Sequence, residues 1–160
     1  MKYCFDTSAL IDLGERHYPK HLKVFKPIWD YLYLGIKAGE IISVDCVEIE
    51  LQKKADKWRE EFLGYARPMF QISESVEKEY AGVIREIEAR SEFKTNKHRG
   101  RFMTGADPWI IALARNIGKC TVVSAETKTL TEYGLGYVCD TLGVKHNNLL
   151  QFFEANNIGV

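Results

Sequence analysis

Four carboxylates stand where a folded chain could gather them: Asp6, Glu50, Asp107 and Glu126. Each lies beside a change in hydrophobic pattern. Asp6 closes the apolar run Tyr3-Cys4-Phe5. Glu50 falls in a helical stretch after Ile41-Ile42-Ser43. Asp107 opens an apolar segment that runs on to Ala114, and Glu126 comes just after Thr121-Val122-Val123-Ser124. Gathered without a counter-charge, such groups repel, and one or more is driven toward protonation. A divalent cation removes that penalty, and an all-oxygen ligand set suits Mg2+ or Mn2+. Those ions bind phosphate oxygens and activate water, which is the chemistry of phosphodiester hydrolysis. Singly, each acid has a plainer reading: Asp6 as a helix cap, Glu50 as a solvated helix residue, Asp107 as a partner for a helix dipole, Glu126 as a turn residue. Only their joint placement separates the two accounts.

The elements that must position these acids follow from periodicity. Residues 3–5 predict a strand, and Thr7-Ser8 starts a helix directly after Asp6. Over residues 20–38, Phe25, Ile28, Trp29, Leu32 and Ile36 recur at helical spacing, with Pro27 marking a start and Gly39 a stop. Residues 41–43 form a minimal strand. Residues 44–62 then predict one long helix whose stripe is Val47, Leu51, Ala55, Trp58 and Phe62. Residues 64–73 read as a connector, 75–90 as a helix and 91–102 as a polar loop. Thr104 serves as the N-cap of a helix ending at Gly118, with Asp107 three residues into it. Residues 119–124 are the clearest strand. A short helix over 137–142, a strand over 144–146 and an Asn-capped helix over 147–155 complete the chain. Strands alternating with helices predict a single α/β domain over residues 1–160, with a mostly parallel sheet covered on both faces. In such a sheet the functional crevice lies beyond the C-terminal strand ends. Asp6 and Glu126 fall there by their strands alone, and Glu50 and Asp107 can join from neighbouring helix starts.

The 22 basic and 22 acidic residues balance to a formal charge of +0, so no global field collects nucleic acid. Any such contact must be local. The densest basic stretch, Lys94-Thr95-Asn96-Lys97-His98-Arg99-Gly100-Arg101, immediately precedes Asp107. Lys97, Arg99 and Arg101 are therefore the candidates to hold a phosphate backbone beside the acids. Cys4, Cys46, Cys120 and Cys139 form no CxxC pair, and Cys4 and Cys120 lie in predicted strands, so buried free thiols are expected. His17 and His21 are four apart but sit among Lys, Tyr and Pro, a poor metal pair. No apolar run reaches the ~18 to 20 residues of a membrane span. The N-terminus carries no secretory pattern, so a cytoplasmic protein is expected.

These segments resemble the motifs of PIN domains. Phe5-Asp6-Thr7-Ser8-Ala9-Leu10-Ile11-Asp12 is similar to the opening motif, and Val47-Glu48-Ile49-Glu50-Leu51 to the second. Ala106-Asp107-Pro108-Trp109-Ile110-Ile111-Ala112-Leu113-Ala114 is similar to the third, and Thr121-Val122-Val123-Ser124-Ala125-Glu126 to the fourth. Order and spacing match across nearly the whole chain, and the likeness is strongest to a toxin-like branch that shares the Tyr18-Pro19 and Trp29 segment. The resemblance implies a PIN-like three-layer α/β/α sandwich and a Mg2+- or Mn2+-dependent endoribonuclease. It also implies the toxin of a toxin–antitoxin pair, in the manner of VapC toxins, with a cognate antitoxin and a homodimer as partners. Asp6, Glu50 and Asp107 match the core acids. Glu126 matches a position where Asp is commoner, and Thr7 and Ser124 match polar positions near the site. In this reading Asp6, Asp107 and Glu126 bind metal, and Glu50 holds the attacking water. Two other classes that gather acids fit poorly. A haloacid-dehalogenase-type phosphatase needs a second Asp where Ser8 stands, and a response-regulator receiver needs an Asp after its third strand. A PIN-like module that binds RNA or protein without cutting is the remaining alternative.

Overall fold

The computed structural model describes residues 1–90, 93, 99–125 and 134–159. Five strands, β1 (Lys2–Phe5), β2 (Ile41–Val44), β3 (Phe70–Gln71), β4 (Cys120–Ser124) and β5 (His146–Asn148), form one sheet in the order β3-β2-β1-β4-β5. Every neighbouring pair is parallel. All residues of β2 and β4 are buried, as are the last three of β1. Such runs, without an exposed alternate face, mark strands covered on both sides.

The cover comes from α1 (Thr7–Ile11), α2 (Lys26–Ala38), α3 (Asp45–Gln52), α4 (Lys57–Ala66), α5 (Glu77–Ala89), α6 (Arg99–Thr104), α7 (Asp107–Ile117), α8 (Leu135–Thr141) and α9 (Leu149–Ala155). Tyr3 and Phe5 alternate onto one face of β1. There the Phe152 ring of α9 meets both edge-on, at 4.8 and 5.1 Å between centroids, and Tyr31 of α2 joins at 5.8 Å. α7 packs against β1, β2 and β4, and α5 packs on α7. The expected α/β/α sandwich is therefore present, with a sheet that is parallel throughout. Trp29 is buried, and Phe25 and Tyr33 pack against the core.

Local departures from the sequence reading have physical causes. The predicted helix over 44–62 is two helices. Asp56 caps α4 by accepting the Trp58 N–H at 3.2 Å, and Ala55 is exposed rather than part of the stripe. Arg59 joins the pieces, donating from Nη1 to the Leu51 carbonyl at 3.2 Å, one of the acceptors that the end of α3 leaves without an intrahelical partner. Thr104 is not a cap. It ends α6, where its Oγ1 donates to the Gly100 carbonyl at 2.8 Å. Ala106 precedes α7, so Asp107 is the first helical residue rather than the third. Part of the predicted polar loop is the helix α6, anchored by buried Phe102. Two-residue β3 is too short to show a period, and β5 begins two residues later than predicted. The closing helix keeps its Asn cap: Asn148 and Gln151 form a reciprocal capping box.

Beyond α1 the chain continues as a π-helical turn, Asp12–Arg16, a rare geometry that concentrates at functional sites. All four cysteines are free thiols, and Cys4, Cys120 and Cys139 are buried. Burial pushes the Cys4 thiol up, and the Cys120 thiol to about 11, as expected of packing rather than reactive groups. No helix among the described residues is long and apolar enough to cross a membrane.

Candidate active site

Chain connectivity reverses at the centre of the sheet. From β1 the order runs outward to β2 and β3 on one side, then returns to β4 and β5 on the other. Open parallel sheets bind ligands in the crevice beyond the strand ends at such a switch point. Asp6 emerges from β1 here, and its N–H donates to the Val123 carbonyl of β4 at 2.9 Å.

Asp6 does cap a helix. Its Oδ2 accepts from the Ser8 N–H at 3.2 Å and from Ser8 Oγ at 2.6 Å. Ser8 Oγ accepts in turn from the Ala125 N–H at 3.1 Å, so one hydroxyl joins Asp6 to the exit of β4. Glu50 reaches in from α3. One of its oxygens accepts from Thr7 Oγ1, and the other accepts from the Ala106 N–H at 3.2 Å, a donor left over at the start of α7. Two elements remote in sequence thus pin its carboxylate. Asp107 follows at once as the first residue of α7. Asp6, Glu50 and Asp107 line one cavity of about 480 Å3, with Thr7, Ser8, Arg16 and Arg101 around them.

The electrostatics of the cavity are strained in one direction. Asp6 is only 6% exposed. Burial, with a further push from the Glu50 charge, raises its carboxyl to about 6 against the lowering effect of hydrogen bonds from Ser8 and Thr7. Among the described residues, no three His, Cys, Asp or Glu side chains converge into a group that could hold a metal ion. The acids share a cavity without forming a cage. Mg2+ keeps several waters and is bound through one or two carboxylates plus substrate phosphates, so it is the kind of ion that needs no protein cage. The acidic donors of the cavity are oxygens, the donor type that a hard cation takes.

The other predicted residues divide. Thr7 and Arg101 line the cavity. Arg99 instead pairs with Glu88 of α5 at 3.2 Å. Ser124 is buried at the end of β4, and its Oγ meets Nε2 of His146 at 2.8 Å rather than lining the cavity. Glu126 and Lys97 lie outside the described residues. Of the cavity's polar side chains, Ser8 and Arg16 were missed. Ser8 counted only as the missing second acid of a phosphatase, whereas its hydroxyl links two strands. Arg16 is brought to the cavity by the π-helical turn, which has no sequence period to reveal it.

The class these features define is an α/β protein with an acid-lined crevice at the switch point of a parallel sheet. The chain belongs to the family described as domain of unknown function DUF4411, whose model matches residues 3–160. No curated protein matches it.

Proposed function

We propose that this protein is a PIN-type, Mg2+- or Mn2+-dependent endoribonuclease that acts as the toxin of a toxin–antitoxin pair. One observation carries the reading: three acids from three separate segments, Asp6, Glu50 and Asp107, open into one cavity at the switch point, and one of them is buried and driven toward protonation. An acid that burial, and to a lesser degree a neighbouring carboxylate, drives toward protonation marks a candidate functional site, and a bound cation would relieve that cost.

Asp6 and Asp107 would hold the ion, with Glu126 as a further ligand on the strength of the motif likeness. When bound, the ion neutralises charge on the phosphate and acidifies water. Glu50, held by Thr7 and the Ala106 N–H, is fixed to accept a proton from the attacking water. Arg16 and Arg101 supply cationic partners for phosphate oxygens at the cavity wall. The partners of this reading are RNA, a cognate antitoxin and a second copy of the chain. Four free thiols agree with a reducing, cytoplasmic setting.

The test is cleavage of single-stranded RNA with Mn2+ or Mg2+. Asp6→Asn and Asp107→Asn should each lower the rate by about a hundredfold or more, since each removes charge stabilisation worth several kcal/mol. Full activity in either folded variant would refute the assignment. The absence of a ready cage among the described acids favours a second reading, a module that binds RNA or protein without cutting. Calorimetric titration with Mn2+ separates the two, because only the nuclease needs the cation.

A further inference from the structure

A second cavity opens on the other side of the π-helical turn. Gly14 and Arg16 are two residues apart on that turn; Arg16 lines the acidic cavity, and Gly14 lines this one. The second cavity has a volume of about 510 Å3, and rings dominate its wall. Tyr33 and Tyr65 meet edge-on at 4.5 Å, Phe62 and Tyr65 at 5.5 Å, and Trp58 tilts against Phe62 at 5.7 Å. Rings of this size normally leave water, yet Tyr65 stays 37% exposed, and Tyr33 and Trp58 are half-buried. The seat of Trp58 is built into the backbone: a Cβ on Gly14 would lie 2.4 Å from its ring. Exposed Lys20 holds its Nζ 4.8 Å from the Tyr33 centroid and 5.9 Å from that of Tyr65. A mobile, solvated cation that a base can displace thus lies over the outer side of rings whose inner side packs on the core.

We infer that this pocket stacks one base of the single-stranded RNA whose backbone enters the acidic cavity; the inference rests on the ribonuclease reading. Every base has a π-face, so an aromatic wall holds it without regard to sequence. Lys20, His21 and Lys57 line the same pocket and can meet the phosphates on either side of a stacked base. Two acids line the pocket: Asp56 is committed to the Trp58 N–H and to Lys54, and exposed Glu61 is outnumbered by Lys20 and Lys57.

The experiment uses the full chain and a short single-stranded RNA carrying one 2-aminopurine, titrated in EDTA so that it stays intact, with Mn2+-dependent cleavage of the same RNA measured in parallel. Wild type and Tyr65→Phe should quench the fluorophore and bind alike. Tyr65→Ala should lose the quenching and bind about tenfold or more weakly, the loss of one base–aromatic stack. Melting curves establish that each variant is folded. A folded Tyr65→Ala protein that binds and quenches like wild type overturns the stacking site. Cleavage by wild type without any quenching also overturns it and leaves the nuclease reading standing. Quenching that depends on Tyr65 without cleavage sustains the stacking site and removes the nuclease reading.

Discussion

Asp6 and Glu15 are carboxylates nine positions apart, at the two ends of one helical segment, and the fold treats them in opposite ways. Burial acts to raise both. At Glu15 it is overcome: Arg59 donates from Nε at 2.6 Å, Lys54 adds a contact at 3.3 Å, and the carboxyl is held down at about 2. At Asp6 the hydrogen bonds come from Ser8 and Thr7, which carry no charge, while Glu50 adds a repulsion, and the carboxyl rises to about 6. A half-buried acid with a matched cation is part of the architecture. A buried acid next to another acid costs stability, and chains keep such costs where function needs them. On the proposed reading the acid pair at the switch point is the functional region, and the ion pair made by Glu15 of the π-helical turn is scaffold.

The largest effect should come from breaking the scaffold side. Arg59 is 8% exposed, and its removal leaves Glu15 poorly matched and the Leu51 carbonyl without its donor. Arg59→Ala is expected to cost about 3 to 5 kcal/mol in chemical denaturation. A loss under about 1 kcal/mol would mean that the pair is not a structural fixture.

The functional side should answer with the opposite sign. Asp6→Asn keeps a good cap and removes an unmatched charge, so the metal-free variant should be more stable at pH 7 by up to about 3 kcal/mol. A carboxyl at about 6 in the folded state, against 3.8 ordinarily, binds more protons folded than unfolded in between. Wild-type stability therefore falls as pH rises from about 4 through 6, and the advantage of the variant fades as pH drops toward 3.8. Glu15 runs the other way: its contribution is present above 4.5 and is lost as pH falls through about 2. Melting temperatures from about pH 2 to 8 read both limbs. A variant no more stable than wild type at pH 7 would place Asp6 among ordinary caps.

The smallest effect sharpens the scaffold side. Lys54 is 58% exposed and screened by water, so Lys54→Ala should change stability by less than about 1 kcal/mol, against several for Arg59. Equal losses from the two would show that charge count rather than burial sets the value of the pair.

How much of this was legible in the chain depends on the range of each interaction. Strands β1, β2 and β4 and helices α2, α5 and α7 announce themselves through apolar runs and stripes. The cap of α9 is written in Asn148 and Gln151. The break between α3 and α4 was not legible, because Val47, Leu51, Trp58 and Phe62 keep helical spacing across it, and only the Asp56 cap and the exposure of Ala55 reveal it. Within the site, Asp6 and Asp107 could be placed from their elements. The two grips on Glu50, from Thr7 and Ala106, join residues 43 and 56 positions apart and leave no local mark. The ion pair of Arg99 with Glu88 was equally invisible in a stretch that reads as uniformly basic.

Taken alone, the sequence determined an alternating α/β chain and the placing of Asp6 at the end of its first strand, because hydrophobic period and capping act over a few residues. Only the tertiary structure decided that Glu50 and Asp107 share a cavity with Asp6, that Arg16 and Arg101 line it while Ser124 turns to His146, and that Asp6 carries a raised pKa where Glu15 carries a lowered one. Those outcomes depend on burial and on neighbours distant in sequence, and both exist only once the chain has packed.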